Sequence, residues 1–115
     1  MTASTQTRHS RWVSARNWFY DALCHEQRRV AAQGRFLGTA NPDSRSLPGH
    51  LAHQGQEVEA VDRAAAMYER MVTTSGRVGA AYGNPAEFDA ALDEADALLE
   101  DARPVAFDAF GNWFE

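Results

Sequence analysis

The stretch NPAEFDAALDEADALLEDARP, residues 84–104, contains the start, the repeat and the stop of a helix. Asn84 is a preferred N-cap residue, Pro85 suits the first helical position, and Glu87 follows the cap by three residues, as in a capping box. Apolar residues then recur every three or four positions, which predicts one buried stripe of Phe88, Leu92, Ala95, Leu99 and Ala102. Because proline lacks the N–H of a helical hydrogen bond, we expect Pro104 to end this helix.

The same periodicity predicts two earlier helices, and no segment alternates in the manner of a strand. We expect the first from Ser10, its N-cap, to Gln33, with a buried stripe of Trp12, Ala15, Phe19, Leu23 and Val30. We expect the second from Gln56 to about Thr74, with a buried stripe of Val58, Val61, Ala65, Tyr68 and Val72. Glycine costs about 1 kcal/mol inside a helix, so the second helix either breaks near Ser75 or uses its glycines for a close backbone contact, and we favour the break.

The remaining segments complete the expected architecture. Residues 36–54 contain two prolines and two glycines and read as a connection, in which a turn of helix can begin near Leu47. Residues 104–115, PVAFDAFGNWFE, can form a short helix with Phe107, Phe110 and Phe114 on one face. The expected fold is therefore all-α: a compact antiparallel helical bundle of three main helices plus a short C-terminal helix. We expect a single domain of residues 1–115, with residues 1–9 as a disordered N-terminus.

Charge is distributed unevenly along the chain. Residues 1–54 hold seven arginines and three acids, whereas residues 86–115 hold one arginine and nine acids. At 100° per residue, the acids of residues 84–104 form two columns that flank the apolar stripe. The first acidic column comprises Asp89, Asp93, Asp96 and Glu100, and the second acidic column comprises Glu87, Glu94 and Asp101. Like charges three or four residues apart cost a few tenths of a kcal/mol per pair, so this pattern lowers local helix stability by roughly that amount per neighbour.

Three interpretations of the two columns stay open. They form a solvated face that keeps an alanine-rich protein in solution, because added acids favour solubility. Alternatively, arginines of the first helix neutralise them, with candidates Arg11, Arg16, Arg28, Arg29 and Arg35. In the third interpretation they are displayed to a partner, since carboxylates a few ångströms apart resemble the phosphates of a nucleic acid strand.

Composition indicates where such a protein works. All eleven basic residues are arginine and 21 residues are alanine, which is typical of a high-GC genome or of selection for guanidinium chemistry. Cys24 is the single cysteine, residues 1–10 lack the apolar run of a secretory signal, and no window approaches the about 20 apolar residues of a membrane span. We therefore expect a cytoplasmic protein without membrane contact.

No motif points to catalysis. The glycines match neither phosphate-binding fingerprint, and no nucleophile elbow is present. His50 and His53 have the spacing of two ligands on a helix, yet neither they nor Cys24 and His25 form a paired zinc motif. Glu26 lies within the apolar stripe of the first helix, where we expect it to reach water or an arginine. We expect no enzyme activity, no cofactor and no metal site.

The function expected is protein–protein interaction. The two acidic columns are the candidate partner-binding residues, and the expected partner is a protein with a basic nucleic-acid-binding surface. Direct binding to nucleic acid is not expected, because the N-terminal arginines share no single face and the domain as a whole is acidic. Small acidic helical proteins of phages and mobile elements, which block host nucleases or CRISPR surveillance complexes, are similar to this chain in size and charge. This resemblance implies an inhibitor of the anti-CRISPR or anti-restriction type, with an acidic helix face as phosphate mimic.

The alternative function is a structural or self-assembling helical module. Four aromatic residues lie close to the C-terminus, and aromatic residues dominate the energetics of many interfaces. They either fold back to close the core or dock onto a partner, and the candidate docking residues are Phe107, Phe110, Trp113 and Phe114. The oligomeric state is left open.

Overall fold

The computed structural model describes residues 3–38 and 47–115, with the side chains of residues 4–32 and 55–115. It consists of three α-helices: α1 (Ala3–Gly38), α2 (Leu47–Ala81) and α3 (Pro85–Phe110). Within these two ranges there is no strand, which confirms the all-α prediction. The connection predicted for residues 36–54 is shorter than expected, because α1 continues to Gly38 and α2 begins at Leu47 rather than at Gln56; residues 39–46 lie outside the described residues.

The start of α3 follows the signals in its sequence. Asn84 has an extended backbone, with φ of −115°, and its side chain accepts a hydrogen bond of 3.2 Å from the Glu87 N–H. Pro85 occupies the first helical turn, where a missing N–H costs nothing. Gly83, with φ of +99°, supplies the left-handed residue of the tight turn from α2. The prediction of this capped start is confirmed.

The end of α3 differs from the prediction. Pro104 lies inside the helix, which continues to Phe110 and ends on the left-handed Gly111. Pro104 is exposed, so the carbonyl that lacks its helical donor can bond to water, while Ala102 and Ala106 stay buried on the opposite side. The prediction that Pro104 ends the helix is wrong, and no separate short C-terminal helix occurs among residues 85–115.

The glycines of α2 do not interrupt it. The helix passes through Gly76 and Gly79 to Ala81, so the predicted break near Ser75 is wrong. A Cβ atom added at either glycine would meet nothing within 4 Å, so close backbone approach is not the reason for them. Val78 and Ala81 are buried between and after the glycines. Burial of a valine side chain contributes about 1.5–3 kcal/mol, which offsets the cost of the exposed glycines.

The buried stripe of α2 is rotated relative to the prediction. Val58 and Val72 are exposed, Ala65 and Tyr68 are only partly buried, and of the predicted stripe Val61 alone is fully buried. The observed stripe consists of Ala60, Val61, Ala64, Met67, Met71, Thr74, Val78 and Ala81. The prediction favoured β-branched and aromatic residues, whereas the core takes up flexible methionines between small alanines.

Helix α1 begins earlier than predicted. It starts at Ala3, so Ser10 is an interior residue and residues 3–9 are helical, which corrects the expectation of disorder for these seven residues; residues 1–2 lie outside the described residues. The predicted stripe is otherwise observed. Val30 is partly buried against the core, and the fully buried members are Trp12, Ala15, Phe19 and Leu23.

The three helices share one hydrophobic core along a body of 63 × 21 × 15 Å. Arg16 of α1 contacts Ser75 of α2, and the ring of Tyr20 of α1 contacts that of Tyr68 of α2. The residue that comes later in α1 therefore contacts the residue that comes earlier in α2. Near the start of α1, His9 packs against Phe88 with ring centroids 5.3 Å apart. The amino-terminal ends of α1 and α3 therefore lie side by side.

Candidate interaction surface

The face of α3 opposite the core is an alanine strip between the two acidic columns. Ala86, Ala90 and Ala97 are exposed along the strip. The side buried against α1 and α2 includes the predicted stripe of Phe88, Leu92, Ala95, Leu99 and Ala102, which is confirmed in full. Because carboxylates recur every three or four residues along α3, they follow one another on both flanks of this apolar seam. We call the two columns together the acidic surface.

The first acidic column lies beside α1. Arg8 donates to Asp93 at 2.6 Å and to Asp96 at 3.0 Å, and Arg11 lies 3.8 Å from Asp96. Thr5 donates a hydrogen bond of 3.3 Å to Asp89. These groups come from successive turns at the start of α1, so arginines border the middle of the first column, at Asp93 and Asp96, and a hydroxyl group borders Asp89.

Arg11 also fastens the C-terminus. Its guanidinium lies 2.5 Å from the Glu115 carboxylate, and it stacks over the Phe114 ring at 5.8 Å. The hydrogen bond to Glu115 raises the pKa of Arg11 above its usual value. The same bond lowers the pKa of Glu115. Both groups are therefore charged at neutral pH and hold the end of the chain near α1.

The second acidic column lies beside α2. Arg77 forms an ion pair with Glu94, and Arg70 lies 3.4 Å from Asp101. A surface groove of about 340 Å³ runs between these two pairs. Its floor includes the buried residues Thr74 and Leu98. The groove thus has mixed charge along its walls.

Of the three interpretations, internal neutralisation matches these contacts for four of the seven acids. Arg11 was a candidate cation and is used in this way, whereas Arg8, Arg70 and Arg77 were missed. Arg8 lies three residues before Arg11 and would have been found if α1 had been extended to Ala3. Whether Arg70 and Arg77 face α3 depends on the rotation of α2 about its axis, and this rotation was predicted incorrectly.

The other candidate arginines lie elsewhere. Arg16 donates to Ser75, and Arg29 pairs with Glu26 at 2.8 Å and with Glu57 at 3.3 Å. The prediction that Glu26 reaches an arginine is confirmed. The side chain of Arg35 lies outside the described residues.

The ion pairs leave the acidic surface open to solvent. The side chain of Asp93 is 77% exposed and that of Asp101 is 61% exposed. Among the residues whose side chains are described, Glu87, Asp89 and Glu100 have no arginine within ion-pair distance. The surface is therefore both displayed and partly neutralised.

A second groove, of about 330 Å³, lies where α1 and α3 begin. Its walls are largely apolar and include Tyr82, Pro85 and Phe88, and Thr5 and Asp89 lie at its polar side. Tyr82 is mostly exposed and meets the edge of Phe88 at a centroid distance of 5.7 Å. No sequence pattern had indicated this groove, because its walls come from three separate elements.

The aromatic C-terminal residues fold back onto α1. Trp113 is buried and packs against Trp18 with ring centroids 5.8 Å apart, and Phe110 packs against Phe19 with ring centroids 5.1 Å apart. Phe114 is partly buried beside these rings. Phe107 is exposed, with the Arg103 guanidinium 6.0 Å from its ring. Only one of the four candidate docking residues is thus largely available to a partner.

Neither a cluster of metal ligands nor a membrane-spanning helix occurs among the residues that the structure describes. In that part of the chain no group of three or more His, Cys, Asp or Glu side chains is arranged to hold a metal ion. The side chains of His50 and His53 lie outside it. No helix there has the length and hydropathy needed to cross a bilayer.

Comparison of the chain with protein-family models, with curated proteins and with solved structures found no match.

Proposed function

We propose that this protein is a non-enzymatic binding module whose acidic surface contacts a basic protein surface, of the kind that nucleic-acid-binding proteins present. The observation that supports the proposal is an excess of exposed carboxylate. Residues 86–115 contain nine acids and one arginine, Arg103, and in the described part of the chain four arginines of the other helices form ion pairs with these acids. Negative charge therefore dominates this side of the molecule even after every ion pair is counted.

The ion pairs of the acidic surface are exchangeable. Exposed pairs contribute about 0–1 kcal/mol each, because water and salt screen them. Guanidinium groups of a partner can replace Arg8 or Arg77 at little cost, since a carboxylate exchanges one cation for another. Such an interface associates fast and weakens with salt.

In the phosphate-mimic form of this proposal, three carboxylates are the main contacts for the partner. Glu87, Asp89 and Glu100 have no arginine partner in the described part of the chain, so their oxygens can accept hydrogen bonds from a partner without displacing a cation, although Thr5 already donates to one oxygen of Asp89. The mechanism is steric and electrostatic competition with nucleic acid for one basic site. An inhibitor of a nucleic-acid-binding complex, encoded by a phage or mobile element, is the biological role that this mechanism suits.

Two further parts belong to the proposal. We place the three helices in an antiparallel bundle, with α2 running against α1 and α3, and the order of the contacts along each helix supports this. We also place the protein in the cytoplasm, because its single cysteine is free, as is usual in a reducing compartment.

A charge-reversal experiment tests the proposal. The variant Asp89→Arg, Asp93→Arg, Glu100→Arg alters the acidic surface, and proteins that it captures from a high-GC bacterial lysate are compared with those captured by the unaltered chain. We expect the variant to lose those captured proteins that short duplex DNA displaces from the unaltered chain. The same captured set on both proteins would contradict the proposal.

A matched control separates the acidic surface from total charge. The variant Glu59→Arg, Asp62→Arg, Glu69→Arg makes the same charge change on exposed positions of α2. We expect it to retain the DNA-displaceable proteins. Circular dichroism of both variants shows whether the helices remain intact.

A further inference from the structure

The first turns of α1 differ from the rest of the helix in what holds them. We call residues 3–11 the strap. None of the side chains of residues 4–11 is buried, whereas the next residue, Trp12, is almost completely buried. From Trp12 to Val30, α1 contributes side chains to the hydrophobic core. The strap has no such anchor.

Polar contacts with α3 and the C-terminus take the place of the core. Arg8 bridges Asp93 and Asp96, and Arg11 bridges Asp96 and Glu115. Two ring contacts add to these: His9 packs edge-to-face on Phe88, and the Arg11 guanidinium lies over the Phe114 ring. These contacts depend on charge far more than on apolar burial.

We propose that the strap is a detachable cover, held over the first half of α3 by Arg8 and Arg11 and released when salt or a competing basic group replaces those two cations. The inference rests on the proposed function in one respect: the competing group belongs to the basic partner. Release leaves the core of α1 in place, because Trp12 and the buried residues after it do not move.

Opening the strap changes what α3 presents. Phe88 is buried under His9 when the strap is closed, and Thr5 forms one wall of the groove beside it. Without the strap, Phe88, Asp89, Asp93 and Asp96 form a continuous apolar and acidic surface. The arginines of the strap therefore occupy, within the chain, the positions that arginines of a partner would take.

The second acidic column provides the contrast. Arg70 and Arg77 also pair with carboxylates of α3, but they stand on a part of α2 whose neighbours Met71, Thr74 and Val78 are buried. Loss of these two ion pairs leaves the apolar seam intact. Ion pairs of the same kind are thus required to hold the strap against α3, but they are not required to hold α2 against α3.

Hydrogen exchange on the full chain tests the proposal without any partner. For the variant Arg8→Ser, Arg11→Ser we expect the amides of residues 5–11 to exchange about tenfold faster than in the unaltered chain at low salt. In the unaltered chain we expect the same amides to speed up at 1 M NaCl, where the Debye length is about 3 Å. Amides of residues 15–23 should change in neither case.

The control variant is Arg70→Ser, Arg77→Ser, which has the same net charge. We expect no acceleration in residues 5–11 or across the facing segments of α2 and α3. Equal acceleration of the strap in both variants, or exchange in the strap that ignores salt and the loss of Arg8 and Arg11, would overturn the proposal.

Binding of protamine, an arginine-rich polypeptide, tests whether the strap covers part of the acidic surface. We expect the Arg8→Ser, Arg11→Ser variant to bind protamine more tightly than the Arg70→Ser, Arg77→Ser variant. Since the net charges match, equal affinities would overturn the covering role of the strap. The capture experiment above tests the proposed function separately, because its readout does not depend on the strap.

Discussion

The adjacent residues Met71 and Val72 test the rotation of α2, on which the position of Arg70 and Arg77 beside α3 depends. Met71 is fully buried, whereas Val72 is 51% exposed. Truncation of a buried methionine to alanine costs about 2–5 kcal/mol, from lost burial and the cavity left behind. We therefore expect Met71→Ala to lower the free energy of unfolding by about 3 kcal/mol.

The matched variant Val72→Ala should behave differently. About half of the burial energy of a valine is lost at most, or roughly 1 kcal/mol, and the higher helix propensity of alanine recovers up to about 0.7 kcal/mol of it. We expect a net change within about 0.5 kcal/mol. The stripe predicted from sequence alone, with Val72 in the core, would have required the opposite order.

Urea denaturation followed by circular dichroism at 222 nm measures both changes. For a domain of this size, about 3 kcal/mol corresponds to a fall in Tm of roughly 10 °C, so thermal melting provides a second reading. If Val72→Ala destabilised the protein as much as Met71→Ala, α2 would be rotated, and its arginines would not face the acidic surface.

Three further predictions concern the ends of α3. Asn84→Ala removes the side chain that accepts the Glu87 N–H, and we expect a loss of about 1 kcal/mol in urea denaturation. Trp113→Ala should cost about 3–5 kcal/mol, since Trp113 is 5% exposed, whereas Phe107→Ala at 47% exposure should cost much less; similar melting temperatures would refute the closing role of the tail. The pKa of Glu115 is lowered by Arg11, so their interaction stabilises the fold above about pH 4.5 and is lost as the pH falls through the lowered pKa. The stability gap between the unaltered chain and Arg11→Ser should therefore shrink between about pH 6 and pH 3, and a constant gap would exclude this linkage.

Residue spacing predicts the positions of the carboxylates in the acidic surface but not their ion-pair partners. The two columns of this surface follow directly from 3.6 residues per turn, and the observed flanks of α3 agree with them. Whether a carboxylate meets a cation depends on which neighbouring helix lies beside it. Arg8 is 85 residues from Asp93 in the chain, and no local pattern relates the two.

Local signals determined the all-α class, the capped start of α3 at Asn84 and the buried stripes of α1 and α3, because backbone capping and helical periodicity act between residues only a few positions apart. Tertiary packing decided the rest. It carried α3 through Pro104, continued α2 through Gly76 and Gly79, and turned Met71 rather than Val72 inward. In each of these three cases the burial of side chains against another helix outweighed a local cost of a few kcal/mol or less, and there the arrangement of the helices decided which side chains are buried.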